Sequence, residues 1–287
     1  MRVLTSLTPA LLTSFLLTGC DALGAFNFVQ AGGISPSYAD VAYGAGERQT
    51  LDLYLPKENG TPAPLLVWFY GGAWDSGDKE QYAFVARRFT AMGYAVAIPN
   101  YRLVPEVRFP AFLDDAAAAL ARLRSLIREQ PGKISTQPMV LAGHSAGAYI
   151  AVQVVAGPDY LAKVGLGPED VAGIIGLSGP YDFYPYKVDS SRAAFGDTPA
   201  RQSQPVEQEL SRMPPLLLIS GNADETVRPR NSIRLSEKAP QARLQLVDGL
   251  GHAGTLLALG RFITSNKAVL EPLEQFLVTV SSPAPQS

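Results

Sequence analysis

Apolar residues along this chain gather in short unbroken runs rather than in strict alternation. Residues 65–70 read LLVWFY, and 94–98, 139–142, 174–177 and 216–220 repeat the signature; 244–247 is a weaker sixth case. A short continuous apolar run predicts a strand covered on both faces. Helical spacing appears between these runs, over 79–92, 112–128, 146–155 and 233–238, with a last helix over 267–278. Buried strands alternating with helices predict a mostly parallel, doubly wound sheet. Ahead of them, 38–43 and 49–55 read as two strands joined by Gly44-Ala45-Gly46, an antiparallel hairpin. The expectation is therefore an α/β fold: a mostly parallel central sheet, an N-terminal antiparallel hairpin and helices on both faces. The stretch 179–215 is long for a crossover and rich in Tyr, Pro and Gln. Insertions of that kind often cover a site.

The two ends carry a different pattern. Met1 and Arg2 make a short positive start, and 3–17 is mostly apolar. That run is shorter than the ~20 residues a bilayer-spanning helix needs, and it fits the apolar region of a signal peptide. It ends in Leu17-Thr18-Gly19-Cys20, which resembles the lipobox of bacterial lipoproteins. The resemblance implies removal of 1–19 and acylation of Cys20, the chain's sole cysteine. Two or more acyl chains would anchor stably where one would not. The plainer alternative is an ordinary cleaved signal with a chance cysteine. The resulting expectation is a signal peptide over 1–19, a tether over 20–37, the folded domain over 38–280 and a disordered tail over 281–287. It also implies an extracytoplasmic, cell-envelope protein held to a bacterial membrane through Cys20.

Composition narrows the chemistry. The 287 residues are 47% apolar and 17% charged, ample for one large core. Twenty-four basic against 26 acidic residues leave no basic excess for a phosphate backbone, so no nucleic-acid partner is expected. A single cysteine excludes an internal disulfide and a Cys-based zinc site, and two histidines exclude a three-His site. No metal and no cofactor are expected.

One constellation suits nucleophilic catalysis. Gly143-His144-Ser145-Ala146-Gly147 is G-x-S-x-G, directly after a predicted strand and opening a helix. A sharp strand-to-helix turn presents the serine oxygen, and only small neighbours fit around it. The helix N-terminus favours developing negative charge. A serine nucleophile needs a base, and the base an orienting acid. His144 adjoins Ser145 and points away at such a turn, which leaves His252, in a loop after a late strand. Asp224 follows the strand at 216–220, in the chain order Ser, Asp, His. Glu225, Asp248 and Asp182 are the competing acids; Asp248 is close to His252 in sequence. The oxyanion needs backbone N–H donors. Ala146 is one, and Gly71 and Gly72, after the first central strand, supply a loop whose backbone can approach the substrate closely.

With these residues in place, the sequence resembles the α/β-hydrolase superfamily. More narrowly it is similar to bacterial esterases related to the hormone-sensitive-lipase and kynurenine-formamidase-like groups. The resemblance rests on YGGAW (70–74), NYRLVPEVRFPAFLDDAAAAL (100–120), GHSAGAYIA (143–151), GLSGPYD (176–182), the GNADETVRP region (221–229) and GHAG (251–254), and covers about 38–278. It implies Ser145 as nucleophile, Asp224 as acid, His252 as base, and Gly71, Gly72 and Ala146 around the oxyanion. It departs in Tyr70 for the usual His, Ala73 for a third Gly, and His144 for the Asp of GDSAG. Tyr101-Arg102 is expected to brace the oxyanion loop.

The implied activity is a serine carboxylic-ester hydrolase acting through an acyl-serine on short-to-medium acyl esters of small molecules. An amidase or arylformamidase, or an envelope polysaccharide deacetylase, would use the same triad. A non-catalytic binding lipoprotein is the further alternative. Two patterns mislead. Residues 249–254 spell G-x-G-x-x-G, but too little chain follows for a dinucleotide unit. Residues 72–79 approach a P-loop, but Asp78 interrupts it. Tyr181, Phe183, Tyr184 and Tyr186 suit either a substrate entrance or packing, and Asp114-Asp115 is expected on the exposed start of a helix.

Overall fold

The computed structural model describes residues 19–129, 131–262 and 267–281. The segment expected as a signal peptide, up to residue 18, and the tail expected to be disordered, beyond 281, lie outside the described residues.

Eight strands form one sheet: β1 (Tyr38–Ala42), β2 (Thr50–Tyr54), β3 (Leu65–Phe69), β4 (Ala95–Pro99), β5 (Met139–His144), β6 (Val171–Leu177), β7 (Leu216–Gly221) and β8 (Ala242–Val247). Their order is β1-β2-β4-β3-β5-β6-β7-β8. The β1/β2 and β2/β4 pairs are antiparallel and the remaining pairs parallel. The hairpin and the parallel sheet are thus both present. β3, β4, β5 and β7 are buried along their whole length, as their unbroken apolar runs require. β8, the weak case, is an edge strand that is only partly covered.

The helices are α1 (Gly19–Ala31), α2 (Ala83–Ala91), α3 (Ala111–Glu129), α4 (Ala146–Ala156), α5 (Asp189–Phe195), α6 (Ala200–Ser203), α7 (Arg230–Lys238), α8 (His252–Leu257) and α9 (Lys267–Ser281). Most helices extend the predicted spans by a few residues. Four departures have physical causes.

The segment expected as a tether is in large part α1. Phe26 packs edge-on against Phe84 at 5.1 Å, and the Asn27 side chain donates to Glu80 O (2.8 Å) and accepts from Phe84 N–H (2.9 Å). Its glycine, alanine and serine content suits a linker; tertiary packing makes it a helix. The helix expected over 79–92 is split: Asp78 caps a separate 3₁₀ turn, Lys79–Tyr82, and Tyr82 leaves helical geometry (φ −121°, ψ 19°) before α2. The loop expected at His252 turns into α8 at that residue.

Asp115 is not on an exposed face. It is 1% exposed and takes a bidentate ion pair from Arg102 plus a hydrogen bond from the Gln49 side chain (2.7 Å). Asp114 alone occupies the exposed position.

Candidate active site

The parallel strands β3, β5, β7 and β8 end at one edge of the sheet. The residues that follow them converge there, as ligand-binding and catalytic groups do in open α/β sheets. Ser145 follows β5 and opens α4 with φ 54° and ψ −123°. Its flanking glycines are dictated by space. A Cβ on Gly143 would lie 2.4 Å from the Gly147 carbonyl carbon, and one on Gly147 would lie 2.0 Å from Phe69 O. The G-x-S-x-G pattern is therefore what lets α4 start against β3 with the serine raised between them.

His252 comes to Ser145 from the other side. Its Nε2 is 3.0 Å from Ser145 Oγ, and its Nδ1 is 2.8 Å from Asp224 Oδ2. The other Asp224 oxygen accepts the backbone N–H groups of Thr226 (3.0 Å) and Val227 (2.8 Å). The Asp224 side chain is wholly buried and the His252 ring one-fifth exposed. A fixed, dehydrated carboxylate on one ring nitrogen leaves the other free to accept a proton from Ser145.

The loops carrying acid and base are tied to each other. Ala223 N–H donates to Leu250 O (3.2 Å), Asn222 Nδ2 to Asp248 Oδ1 (2.7 Å), and Gly249 N–H to Asn222 Oδ1 (2.8 Å). Of the competing acids, Asp248 serves in this clasp and Asp182 pairs with Arg234 at 3.0 Å. Glu225 lies on the wall of the neighbouring cleft.

His144 is buried beneath the site. Burial, then the nearby His252, push its pKa down to about 3, so the ring is neutral. Its Nε2–H donates to the backbone carbonyl of His252 at 3.0 Å, which holds the base from below.

The loop after β3 is braced against the same edge. A Cβ on Gly71 would meet His144 O at 3.1 Å and Ser145 Cβ at 3.2 Å, so this backbone lies directly against the nucleophile. Gly72, Ala73 and Trp74 all have positive φ (130°, 50° and 65°). The N–H groups of Asp75 and Ser76 both donate to Gly72 O at 3.0 Å, closing the turn. Ala146 sits in the first turn of α4, where a backbone N–H has no intrahelical acceptor. Gly71, Gly72 and Ala146, the residues expected around the oxyanion, thus lie beside Ser145, and Ala73 borders the same clefts.

Behind the loop stands a network that the sequence did not reveal. Of the pair expected to brace the loop, Tyr101 does so, its Oη donating to Tyr70 O (2.9 Å), whereas Arg102 is bound to Asp115. Tyr70 Oη donates to Asn100 Oδ1 (2.8 Å) and accepts from Arg48 Nη2 (2.8 Å). Arg48 also donates to Gly77 O (2.7 Å) and Tyr101 O (2.9 Å). Arg48 lies in the hairpin loop, far from any motif, and carried no signal of its own.

Two clefts meet at Ser145. One, about 550 Å³, is largely apolar and is bounded by Gly71–Ala73, His252, Leu256 and the α1 residues Leu23 and Phe26. The other, about 540 Å³, lies under the 179–215 stretch and includes Phe183, Tyr184, Lys187, Glu225, Arg228 and Arg230. Phe183 stacks on Trp74 (5.8 Å) and Phe195 meets Trp74 edge-on (4.8 Å), so the insertion is packed onto the loop after β3. Tyr181 is wholly buried; Phe183 and Tyr184 border the cleft. A larger cleft of about 760 Å³, between residues 55–64 and α9, has neither Ser145 nor a histidine in its lining.

The misleading motifs resolve as well. Within 249–254, His252 is committed to Asp224 and Ser145. Lys79 is no phosphate ligand: it is buried in ion pairs with Asp52 (2.9 Å) and Asp40 (2.8 Å).

The family model BD-FAE matches residues 51–239, more than half of the chain. The chain belongs to the BD-FAE family. Among curated relatives it is 28% identical to Esterase LipC of Mycobacterium tuberculosis, over 76% of this chain and 60% of that one. It is 27% identical to the kynurenine formamidase of Salmo salar, over 69% of this chain and 64% of that one. The chain thus spans less than two thirds of the length of these relatives. Esterase B from Lactobacillus rhamnosis superposes with a TM-score of 0.72 at 20% identity, covering 88% of this chain and 92% of that one. This BD-FAE protein has the α/β-hydrolase fold.

Proposed function

We propose that this BD-FAE protein is a serine ester hydrolase that works through an acyl-Ser145 intermediate. The observation that carries the reading is the continuous hydrogen-bonded chain from Ser145 Oγ through the His252 ring to the buried Asp224 carboxylate. His252 Nε2 takes the Ser145 proton as Oγ attacks the ester carbonyl carbon. The carbonyl oxygen becomes an oxyanion, held by backbone N–H groups of the 71–73 loop and of Ala146. The C–O bond to the alcohol then breaks, and protonated His252 gives its proton to the departing alkoxide. Water repeats the sequence on the acyl-serine and releases the carboxylic acid. Asp224 holds the ring orientation and stabilises the imidazolium. Esterase LipC, a curated relative, bears a name of the same class.

The two clefts suit an ester with unequal arms. The apolar cleft beside Leu23, Phe26 and Leu256 accepts a short-to-medium hydrocarbon arm, and the cleft with Lys187, Arg228 and Arg230 accepts a polar one. The kynurenine formamidase relative favours a second reading, hydrolysis of an aryl formamide by the same triad. Wild type and Ser145→Ala should be compared on p-nitrophenyl esters of increasing chain length, with an aryl formamide alongside. The expected result is ester turnover by wild type and a loss of about 10⁴-fold or more in kcat in the variant. A preference for the formamide would select the second reading. Equal turnover by both proteins would remove Ser145 from the mechanism.

A further inference from the structure

α1 is apolar on both sides. Inward, Leu23 and Phe26 reach the catalytic cleft. Outward, Ala22, Ala25, Phe28 and Val29 are exposed at helical spacing, with Phe28 84% and Val29 57% exposed. From residue 22 to residue 31 the helix contains no charged residue. A helix without a polar face ordinarily has partners all round, and among the described residues α1 has them on one side. Phe262, 59% exposed, continues the patch, because its N–H is bonded to the Gln30 side chain at 3.0 Å.

Positive charge sits at one end of this patch. A Cβ on Gly32 would lie 2.8 Å from an Arg261 guanidinium nitrogen and 3.7 Å from one of Arg87. Arg261 also lies over the Phe262 ring, 4.8 Å from its centroid. These cations suit the negative end of α1, yet Arg261 is exposed and keeps donors for an outside anion. Exposed aromatic and aliphatic side chains can enter the acyl boundary of a bilayer while a neighbouring arginine stays at its headgroups. Among the described residues no helix is long and apolar enough to cross a membrane, so α1 would lie on the bilayer and not span it.

The preceding chain selects this occupant. The apolar stretch 3–17 runs up to α1, and Cys20 lies in the first turn of that helix. An acylated Cys20, or a retained apolar stretch, would bring a bilayer to the start of this helix.

We propose that the outer face of α1, with Phe262 and Arg261, docks on an anionic lipid bilayer. The cleft in front of Ser145 is then held at the membrane surface, where amphiphilic esters partition. This surface does not depend on hydrolysis, and its test does not read activity.

The test uses the full chain carrying Phe28→Trp. The native Trp68 and Trp74 are buried (0% and 4% exposed), so quenching by brominated lipid reports on position 28. The protein is mixed with vesicles of dibrominated phosphatidylcholine, with and without phosphatidylglycerol. We expect fluorescence from the new indole to fall by roughly half or more on the anionic vesicles. Arg261→Glu should weaken that response, and Val278→Trp, on α9, should show none. Binding to vesicles with no quenching at position 28 would overturn the proposal. So would an indole already shielded before vesicles are added, which would mean that residues 1–18 or a second copy cover the face.

Discussion

Ser145 occupies backbone space (φ 54°, ψ −123°) that costs a non-glycine residue about 1–3 kcal/mol, and the packing of Gly143 and Gly147 holds it there. The site's acids then separate by what they touch. Asp224→Asn would present the wrong partner to His252 Nδ1, and we expect kcat to fall by about 10⁴-fold with little change in fold. Asp248→Asn should cost far less, since Asp248 meets Asn222 and not the base. Steady-state kinetics on one ester decides between them. His144 gives a prediction of opposite kind. Its pKa is about 3 in the folded protein, against about 6.5 for an unfolded histidine. Stability from the neutral ring is complete above pH 6.5 and is lost as pH falls from there toward 3. The unfolded chain binds a proton there that the folded one refuses. Unfolding free energies from urea titrations between pH 7 and pH 4 should fall more steeply for wild type than for His144→Gln, by about 1.4 kcal/mol per pH unit at most.

At the scale of elements, the loop after β3 is set by side chains from elsewhere in the chain. Tyr70 stands where the related esterases were expected to carry His, and its hydroxyl joins Arg48 to Asn100. Tyr70→Phe would leave both partners short of a bond behind the oxyanion loop. We expect kcat to drop about 10-fold or more with KM little changed, because a donor aimed at the oxyanion acts mainly in the transition state. A rise in KM alone would place Tyr70 in substrate binding instead. The elements differ in how far sequence announced them. β3, β5 and β7 were legible because burial on both faces forces continuous apolar runs. Ser145, His252 and Asp224 were legible because strand ends bring them to one edge in a recognisable order. α1 was not, because its helicity comes from contacts with Phe84 and Glu80, more than fifty residues away. Arg48 was silent for the same reason: its role lies wholly in partners distant in sequence.

In the whole molecule, one sheet carries chemistry on its carboxyl edge, and buried charge joins its antiparallel end to the 3₁₀ turn after the catalytic loop. Lys79 is 3% exposed, and Asp52, its buried partner, 4%. Burial pulls the Lys79 pKa down, but its hydrogen bonds to Asp40 and Asp52 carry it above the usual value. Asp52→Asn would leave this ammonium with mostly exposed Asp40, and we expect a loss of about 3 kcal/mol by denaturant unfolding. Lys79→Met with Asp52→Leu should recover much of it, since a buried pair is costly mainly when broken. The 179–215 stretch and α1 close over the carboxyl edge from two sides, so the serine is reached between them. The central claim is that Ser145 is the activated nucleophile of an acyl-transfer triad. The most direct measurement is to treat the protein with a fluorophosphonate and map the adduct by mass spectrometry. The account predicts one adduct, on Ser145, absent from Ser145→Ala and strongly slowed in His252→Ala. A folded wild-type protein that takes no label, or takes it at another residue, would contradict the account.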